Sequence, residues 1–291
     1  MFIQSDCIPC ILKMTLGIGR IAIKEEHLMK DFMYNVLKLK PLRGEDWHVF
    51  AGEIIRDIWY LLEEITGKTD PMKEAKDDQN RKAMQIYPFT KELVSNSIDP
   101  FGTALKLSIA GNTLDNLVGD HHETIEQLIP ELEKFTINKE NILNFRERMK
   151  KTKKLVYFTD NCGEIVFDRL FLEVIRQMHD IDIVLVTRTL PVLNDAVLND
   201  ARSIGLNEVA EVIENGIQEP IAGTILKKVS PQVKSLVEKA DLLISKGGAN
   251  YDCFTEELTV KGKITYLLHG KCHPYCSDNN VPMGSLIIRN G

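Results

Sequence analysis

Two polar segments of the sequence contain the oxygen-bearing side chains that hard metal ions bind. One is Asp160-Asn161-Cys162-Gly163-Glu164, and the other contains Asn194-Asp195. Mg²⁺ and Mn²⁺ prefer oxygen ligands and keep several waters, so two carboxylates with an amide oxygen make a reasonable open site. An open coordination position lets the metal polarise a phosphoryl oxygen or lower the pKa of a bound water. The residue types favour phosphoryl chemistry and leave open whether Asn161 or Asn194 supplies the amide.

Two cations in the sequence could balance the charge of a phosphate. Lys246 precedes two glycines, which let backbone N–H groups approach a ligand closely, and a lysine supplies a point charge. Arg188 offers a bidentate contact. A purely structural interpretation stays open for each segment. An Asp or Asn after a strand often caps the next helix, Asn194-Asp195 is ordinary turn chemistry, and Lys246 can simply end a strand.

The elements that must position these residues follow from the spacing of the apolar side chains. Up to about Met149 apolar residues recur at intervals of three and four, as in helices. From Lys153 onward short apolar runs alternate with helical stretches, which predicts a parallel sheet covered on both faces. We predict strands at 155–158, 183–186, 209–213, 242–244, 264–268 and 285–288, and helices at 164–178, 193–203 and 231–238.

The predicted fold class is α/β, a doubly wound and mostly parallel sheet of the three-layer, Rossmann-like kind with a helical N-terminal region. We place the helical region at residues 1–150 and the α/β metal-binding catalytic domain at residues 151–291. In such sheets ligands bind beyond the carboxyl ends of the strands. The loops after the first, second, fourth and fifth predicted strands should therefore converge, and they contain all the candidate residues above.

The composition is that of a soluble globular protein, with 44% hydrophobic and 27% charged residues. A net charge of −6 argues against nucleic acid as a partner, because phosphate backbones reward clustered cations. No segment has the roughly 18 consecutive apolar residues of a membrane span. The first residues lack the basic start and apolar stretch of a secretory signal. We expect a cytoplasmic protein with no membrane partner, and the oligomeric state stays open.

Several known phosphate-binding and hydrolytic motifs are absent from the sequence. There is no G-x-x-x-x-G-K-[ST] loop and no G-x-G-x-x-G after the first predicted strand, which disfavours a P-loop ATPase and a dinucleotide site. Asp160-Asn161-Cys162 lacks the second aspartate that aspartyl-phosphate phosphatases use. No G-x-S-x-G elbow marks a serine hydrolase.

The motifs that are present resemble those of the metal-dependent damage-control phosphatases, long catalogued as a domain of unknown function. The family's Asp-Asn-x-Gly-Glu matches residues 160–164, its Pro-x-x-Asn-Asp-Ala matches 191–196, and its Lys-Gly-x-x-Asn-[Tyr/Phe] matches 246–251. In the helical half, residues 70–74 with Asn80, and residues 110–115, also resemble family segments. The likeness runs from about residue 6 to the end of the chain.

The resemblance implies a ligand set and a substrate class. It implies that Asp160, Asn161 and Asp195 hold Mn²⁺, Co²⁺, Ni²⁺ or Mg²⁺. The implied substrates are damaged or surplus phosphometabolites, including sugar phosphates and nucleotides. One branch of the family has been described as a carboxyl methyltransferase. The alternatives are therefore an S-adenosylmethionine-dependent methyltransferase or a non-catalytic protein that binds phosphate metabolites.

Further residues are expected to support this chemistry. Lys246 becomes the natural phosphate partner, with Arg188, Asn250 and Asn112 as additional substrate contacts. Glu164 is expected to act as a general base or to orient a ligand, and a plain first-turn acid favoured by the helix dipole is the alternative.

Two cysteines near the start of the chain suggest a second site. Cys7-Ile8-Pro9-Cys10 resembles the Cys-x-x-Cys that marks the prokaryotic subfamily. Cys7 and Cys10 could hold a soft metal such as Zn²⁺ together with Cys272 and Cys276, or with His273, if the two parts of the chain meet. A redox dithiol and a buried helical pair without function are the alternatives.

Overall fold

Helices form the first half of the chain in a computed structural model that describes residues 1–111, 132, 135 and 137–291. The apolar faces of the first three of these helices meet in a core that includes the fully buried Phe32, Ile58 and Trp59. Asp99 caps one of them, because its carboxylate accepts from Gly102 N–H and Pro100 fits the first turn. The helices are α1 Cys7–Ala22, α2 Glu26–Val36, α3 Ala51–Thr66, α4 Lys73–Asn96, α5 Pro100–Ala110 and α6 Lys139–Lys151.

A six-stranded sheet with flanking helices forms the second half. The strands are β1 Lys154–Phe158, β2 Asp182–Thr187, β3 Glu211–Glu214, β4 Leu242–Lys246, β5 Ile264–His269 and β6 Leu286–Asn290. The helices are α7 Glu164–Met178, α8 Leu198–Ser203, α9 Pro231–Lys239, α10 Gly247–Thr255 and α11 His273–Asn279. The sheet order is β3-β2-β1-β4-β5-β6, with β1 to β5 parallel and β6 antiparallel to β5. The predicted α/β fold with a mostly parallel sheet is confirmed.

One predicted helix is wrong in its first part. The helix expected over 193–203 forms only at Leu198–Ser203. The residues before it make a tight turn, in which Leu193 has a φ of 50° and the N–H of Asp195 donates to the Val192 carbonyl at 3.0 Å. The apolar spacing is helical there, but the backbone is used to bring Asp195 back to the sheet edge.

Strands β1 and β4 lie next to each other at the point where the winding of the sheet reverses. Phe158 at the end of β1 is level with Val186 of β2 and with Ser245 of β4. The chains leaving β1 and β4 diverge to different helices, and this opens a crevice at the carboxyl ends of the strands. The loops after β1, β2 and β4 therefore meet at one edge.

Helices α4 and α5 share one hydrophobic core with α7 and the sheet. Phe101 and Leu105 of α5, Phe171 of α7 and Leu185 of β2 are buried in this cluster. The division that we predict at residue 150 falls between α6 and β1, and it stays a prediction. None of the helices in the described ranges combines the length and the hydropathy needed to cross a bilayer.

Candidate functional site

The loop after β1 turns sharply into α7. Gly163 has a φ of 79°, a conformation that costs glycine little, and its N–H donates to Oδ1 of Asn80 on α4 at 2.7 Å. This turn places Asp160 and Asn161 at the carboxyl end of β1 and puts Glu164 in the first turn of α7. The helical half of the chain thus holds the loop in place.

The loops after β1 and β2 are joined by backbone hydrogen bonds. The N–H of Ala196 donates to the Asp160 carbonyl at 2.8 Å, and Asn161 forms an isolated antiparallel bridge with Asp195. The side chains of Asp160, Asn161 and Asp195 are consequently close together and only 5%, 4% and 3% exposed. The structure brings together the three residues for which the resemblance implies metal binding.

Hydrogen bonds fix which way the Asn161 amide points. Its Nδ2 donates to Asp160 Oδ2 at 3.1 Å and, at 3.4 Å, to Glu164 Oε2. Its carbonyl oxygen therefore points away from these two carboxylates. The amide of Asn194 instead donates to Gln79 of α4 at 3.4 Å, and its buried Oδ1 accepts no hydrogen bond within the described ranges.

Arg188 is buried behind Asp195. Its Nε donates to Asp195 Oδ2 at 2.6 Å, while Nη1 donates to Thr224 Oγ1 at 2.9 Å and to Asn250 Oδ1 at 3.1 Å. Nη2 lies 3.6 Å from Asp160 Oδ1 and makes no hydrogen bond with any described residue. The guanidinium is thus committed to the carboxylates, and its predicted contact with substrate stays a prediction.

Lys246 is also buried, with 0% of its surface exposed. Its ammonium donates to Asp168 Oδ1 at 2.6 Å and to the Ser108 carbonyl at 2.9 Å, and it forms an ion pair with Glu164. Burial alone would lower the pKa of Lys246, but the carboxylates of Asp168 and Glu164 outweigh it and raise that pKa. Lys246 is therefore a cation that holds Glu164, and the phosphate role predicted for it stays a prediction.

Two residues of the Lys246–Tyr251 motif shape the backbone of the site. Asn250 donates to the carbonyls of Thr159, at 2.9 Å, and Lys246, at 2.8 Å, so it ties the ends of β1 and β4 together. Gly247 has a φ of 75°, and a Cβ at this position would overlap the Asp160 carboxylate. Asn112, predicted to contact substrate, lies outside the described residues.

The buried charges at this sheet edge are unbalanced. Burial raises the pKa of Asp160 well above its usual range, and the negative charges of Asp195 and Glu164 raise it further. The positive charges of Arg188 and Lys271 lower it by less. Among the residues that the structure describes at this edge, four buried carboxylates face two buried cations, namely Asp160, Asp195, Glu164 and Asp168 against Arg188 and Lys246. The donor set of two carboxylates and one amide oxygen fits a divalent cation that would offset this excess.

A cavity of about 640 Å³ opens at this edge. Asp160, Asn161 and Asp195 lie in its wall, and so do two residues that the sequence does not single out, Asp252 of α10 and Lys271 after β5. The loop after β5 was among those expected to converge, but a single lysine in it carries no distinguishing signal. Lys271 supplies a cation on the cavity side of the site, in contrast to the buried Lys246.

The cavity also brings the cysteines of α1 close to the loop after β5. Cys7, Cys10, Cys272 and His273 line it, whereas Cys276, which the zinc hypothesis also names, is not among its lining residues. However, no group of three His, Cys, Asp or Glu side chains in the described part of the chain is arranged to hold a metal ion. Burial raises the pKa of Cys7 and raises that of Cys272 to about 12, so both are thiols at neutral pH. The metal and redox hypotheses for Cys7 and Cys10 stay predictions.

Comparisons with known proteins agree with the motifs. The chain is 31% identical to a damage-control phosphatase of Archaeoglobus fulgidus, with 99% of each chain covered. It is 32% identical to an uncharacterised protein of Methanocaldococcus jannaschii, covering 98% of this chain and 94% of that one. A crystal structure of a DUF89 family protein from Pyrococcus horikoshii superimposes with a TM-score of 0.86 at 28% identity, covering 100% of both chains.

The match extends over nearly the whole chain. The sequence profile of the damage-control phosphatase ARMT1-like domain matches residues 3–287, which include α1, the sheet and every described residue of the site. The family that the motifs resemble is thereby confirmed. The chain belongs to the damage-control phosphatase ARMT1-like domain family.

Proposed function

We propose that this protein is a metal-dependent phosphatase that hydrolyses small phosphate esters and removes damaged or surplus phosphometabolites. The observation that carries the proposal is the excess of buried carboxylates beside a cavity at the switch point of the sheet. Relatives along the full length of the chain bear the name damage-control phosphatase, which supports the same activity. Sugar phosphates, nucleotides and related phosphate esters are the candidate substrates.

Asp160, Asn161 and Asp195 would hold the metal, for which Mn²⁺, Ni²⁺, Co²⁺ and Mg²⁺ are all suitable because the ligands are oxygen atoms. A bound divalent ion supplies Lewis acidity toward a phosphoryl oxygen and lowers the pKa of water. Because Arg188 binds Asp195 and Glu164 binds Asn161, each of these two ligands is held by a buried partner. Such partners orient metal ligands before the ion arrives.

The remaining residues of the site act on the phosphate and on the ligands. Lys271, which lines the cavity, neutralises phosphate charge as it builds up in the transition state. Lys246 acts indirectly, because its ammonium fixes Glu164 and Glu164 in turn orients the Asn161 amide. We therefore assign Glu164 to positioning and not to proton transfer.

An assay with a panel of sugar phosphates, nucleotides and aryl phosphates tests the proposal. We expect phosphate release with Mn²⁺, none with a chelator, and at least about a hundredfold lower kcat/KM for Asp160→Ala. Asp182→Ala is the matched control, because Asp182 is an exposed residue at the opposite end of the same sheet. Full metal-dependent activity of Asp160→Ala would overturn the ligand assignment.

The same preparation separates the alternatives. A methyltransferase would bind S-adenosylmethionine in calorimetry without a divalent metal. A non-catalytic binding protein would hold the phosphate esters and leave them intact. Either outcome, together with no phosphate release from any ester, would contradict the proposed activity.

A further inference from the structure

The cavity wall contains a buried carboxylate that protein contacts do not saturate. Asp252 lies on α10, just after the end of β4, and is 6% exposed. Its Oδ2 accepts a hydrogen bond from the Tyr275 hydroxyl at 3.2 Å. Its Oδ1 is buried and accepts no hydrogen bond from any described residue. Buried carboxylate oxygens without a donor are costly, so such an oxygen in a residue of the cavity wall indicates a carboxylate that takes up a donor from the ligand.

Few positive charges act on this carboxylate. The Met1 ammonium binds the main-chain oxygen of Asp252 and the Thr255 hydroxyl, and Lys271 acts from the loop after β5. Burial raises the pKa of Asp252 to about 7. The Met1 ammonium, the Tyr275 hydroxyl and Lys271 all lower this pKa, but the effect of burial is larger. These contacts leave Oδ1 without a hydrogen-bond donor among the described residues, in a side chain that lines the cavity.

Much of the wall of the cavity is apolar. It is built largely from apolar side chains of the helical half and of the loop after β2, among them Ile11, Met14, Ile55 and Leu193. An apolar wall accommodates an apolar body and contributes no donor or acceptor. Other polar side chains also line the cavity, but among its described lining residues Asp252 is the one with a buried side-chain oxygen that lacks a donor.

We infer that Asp252 is a specificity-determining residue whose carboxylate accepts a hydrogen bond from an N–H or O–H group on the leaving group of the substrate. The inference rests on the proposed function, in which the metal held by Asp160, Asn161 and Asp195, together with Lys271, binds the phosphate. The substrate class is a phosphate monoester with an apolar body that carries a hydrogen-bond donor at the end remote from the phosphate. Asp252 contributes to the choice of substrate and takes no part in the transfer of the phosphoryl group.

Esters of equal size that differ in one terminal group test the inference. We would compare 4-ethylphenyl, 4-(hydroxymethyl)phenyl and 4-(aminomethyl)phenyl phosphate, together with their 3-substituted isomers. Wild-type protein should favour the donor-bearing esters over the ethyl ester by about tenfold or more in kcat/KM. A hydrogen bond to a charged group contributes enough free energy to produce a ratio of this size. In Asp252→Ala this ratio should fall to within about twofold of unity.

Asp252→Asn keeps the shape of the side chain and separates specificity from folding. This variant should lose the preference for the ammonium ester, because the charge that the ammonium pairs with is gone. Glu238→Gln makes the same chemical change on the exposed surface of α9 and should keep the wild-type ratio. A merely structural role for Asp252 would lower the activity on all esters equally and leave the ratio unchanged.

The outcomes distinguish this inference from the proposed function. The esters can be hydrolysed with no preference in the wild type, or with a ratio of kcat/KM values that neither Asp252 variant changes. Either result overturns the role of Asp252 and does not affect the proposed phosphatase activity. If no ester is hydrolysed with any divalent metal, the proposed function fails. The role of Asp252 is then judged from the dissociation constants of the same esters in calorimetry, where an unchanged ratio in both variants overturns it.

Discussion

Gly247 is the residue that lets the Asp160 carboxylate lie against the backbone after β4. Its φ of 75° lies in the left-handed region, and a Cβ there would overlap the carboxylate. We expect Gly247→Ala to displace Asp160, to weaken Mn²⁺ activation by at least about tenfold and to lower the free energy of unfolding by about 1 kcal/mol or more. Activity as a function of Mn²⁺ concentration and urea unfolding measure the two effects.

Gly67 provides the matched control for this change. Its φ is 66°, and no atom of the described residues lies within 4 Å of an added Cβ. Gly67→Ala should therefore carry the backbone cost alone and keep the wild-type response to Mn²⁺. An equal loss of Mn²⁺ activation in both variants would contradict the role of Gly247.

At the scale of single residues, the sequence predicts which chemical groups lie at the site better than it predicts which partners each side chain contacts. The grouping of Asp160, Asn161 and Asp195 was predictable, because the loops that contain them follow strands that end at one edge of the sheet. The buried position of the Lys246 ammonium was not predictable. It depends on Asp168, an acid of α7 with no distinguishing neighbour in sequence. Lys271 and Asp252 were missed for a related reason, since the cavity in which they lie is formed by packing between distant segments.

At the scale of elements, the ammonium of Lys246 ties β4 to α7 and α5. It lies among Glu164, Asp168 and the Ser108 carbonyl, all buried. Lys246→Met should lower the free energy of unfolding by about 3–5 kcal/mol, because it leaves two buried carboxylates without their cation. Denaturation in guanidinium chloride measures the loss.

Two further variants give this prediction its controls. Lys73→Met removes an exposed lysine of α4 and should change the free energy of unfolding little. Lys246→Met combined with Asp168→Asn and Glu164→Gln removes the carboxylate charges as well and should recover part of the loss. If Lys246→Met keeps wild-type stability and only raises KM, the lysine contacts substrate after all.

The end of β5 carries a histidine whose titration should affect stability. Burial, with a smaller contribution from Lys271, lowers the pKa of His269 to about 4, although its bond to the Gly284 carbonyl acts in the opposite direction. The unfolded chain binds this proton near pH 6.5. His269 should therefore make the protein less stable as the pH falls from about 6.5 to 4, because over that range the unfolded state binds more protons.

His269→Gln should remove this dependence while keeping a donor for Gly284. The difference in free energy of unfolding between variant and wild type, measured in urea from pH 4 to 7, isolates the histidine from the carboxylates that titrate in the same range. His27→Gln changes an exposed residue of α2 and serves as the control. A difference between His269→Gln and wild type that is constant over this range would refute the prediction.

The elements themselves were largely predictable, because each strand is a short apolar run and each long helix has apolar residues at intervals of three and four. The spatial order of the strands was not, since β4 pairs with β1 across more than eighty residues of sequence. Local spacing also failed at residues 193–197, which have a helical pattern but form the turn that presents Asp195. In that segment the tertiary contacts of the site outweigh local propensity.

At the scale of the whole molecule, the helical half supports the site as well as covering the sheet. Asn80 and Gln79 of α4 bind the loops after β1 and β2, and Lys76 forms buried ion pairs with Asp70 and with Asp200 of α8. One core joins α4 and α5 to α7 and the sheet. The sheet edge that carries Asp160, Asn161 and Asp195 therefore depends on contacts from both halves of the chain.

A fragment of residues 152–291 tests this dependence. Without the helical half, Phe171 and its neighbours on α7 would be exposed to water, and the loops after β1 and β2 would lose Asn80 and Gln79. We expect the fragment to unfold without a cooperative thermal transition and to bind a hydrophobic dye, because the apolar surface that it exposes is normally buried. Circular dichroism on heating and dye fluorescence, each compared with the full chain, measure this. A fragment that unfolds cooperatively and keeps Mn²⁺-dependent activity would show that the α/β part folds and acts on its own, with the helical half reduced to a cover.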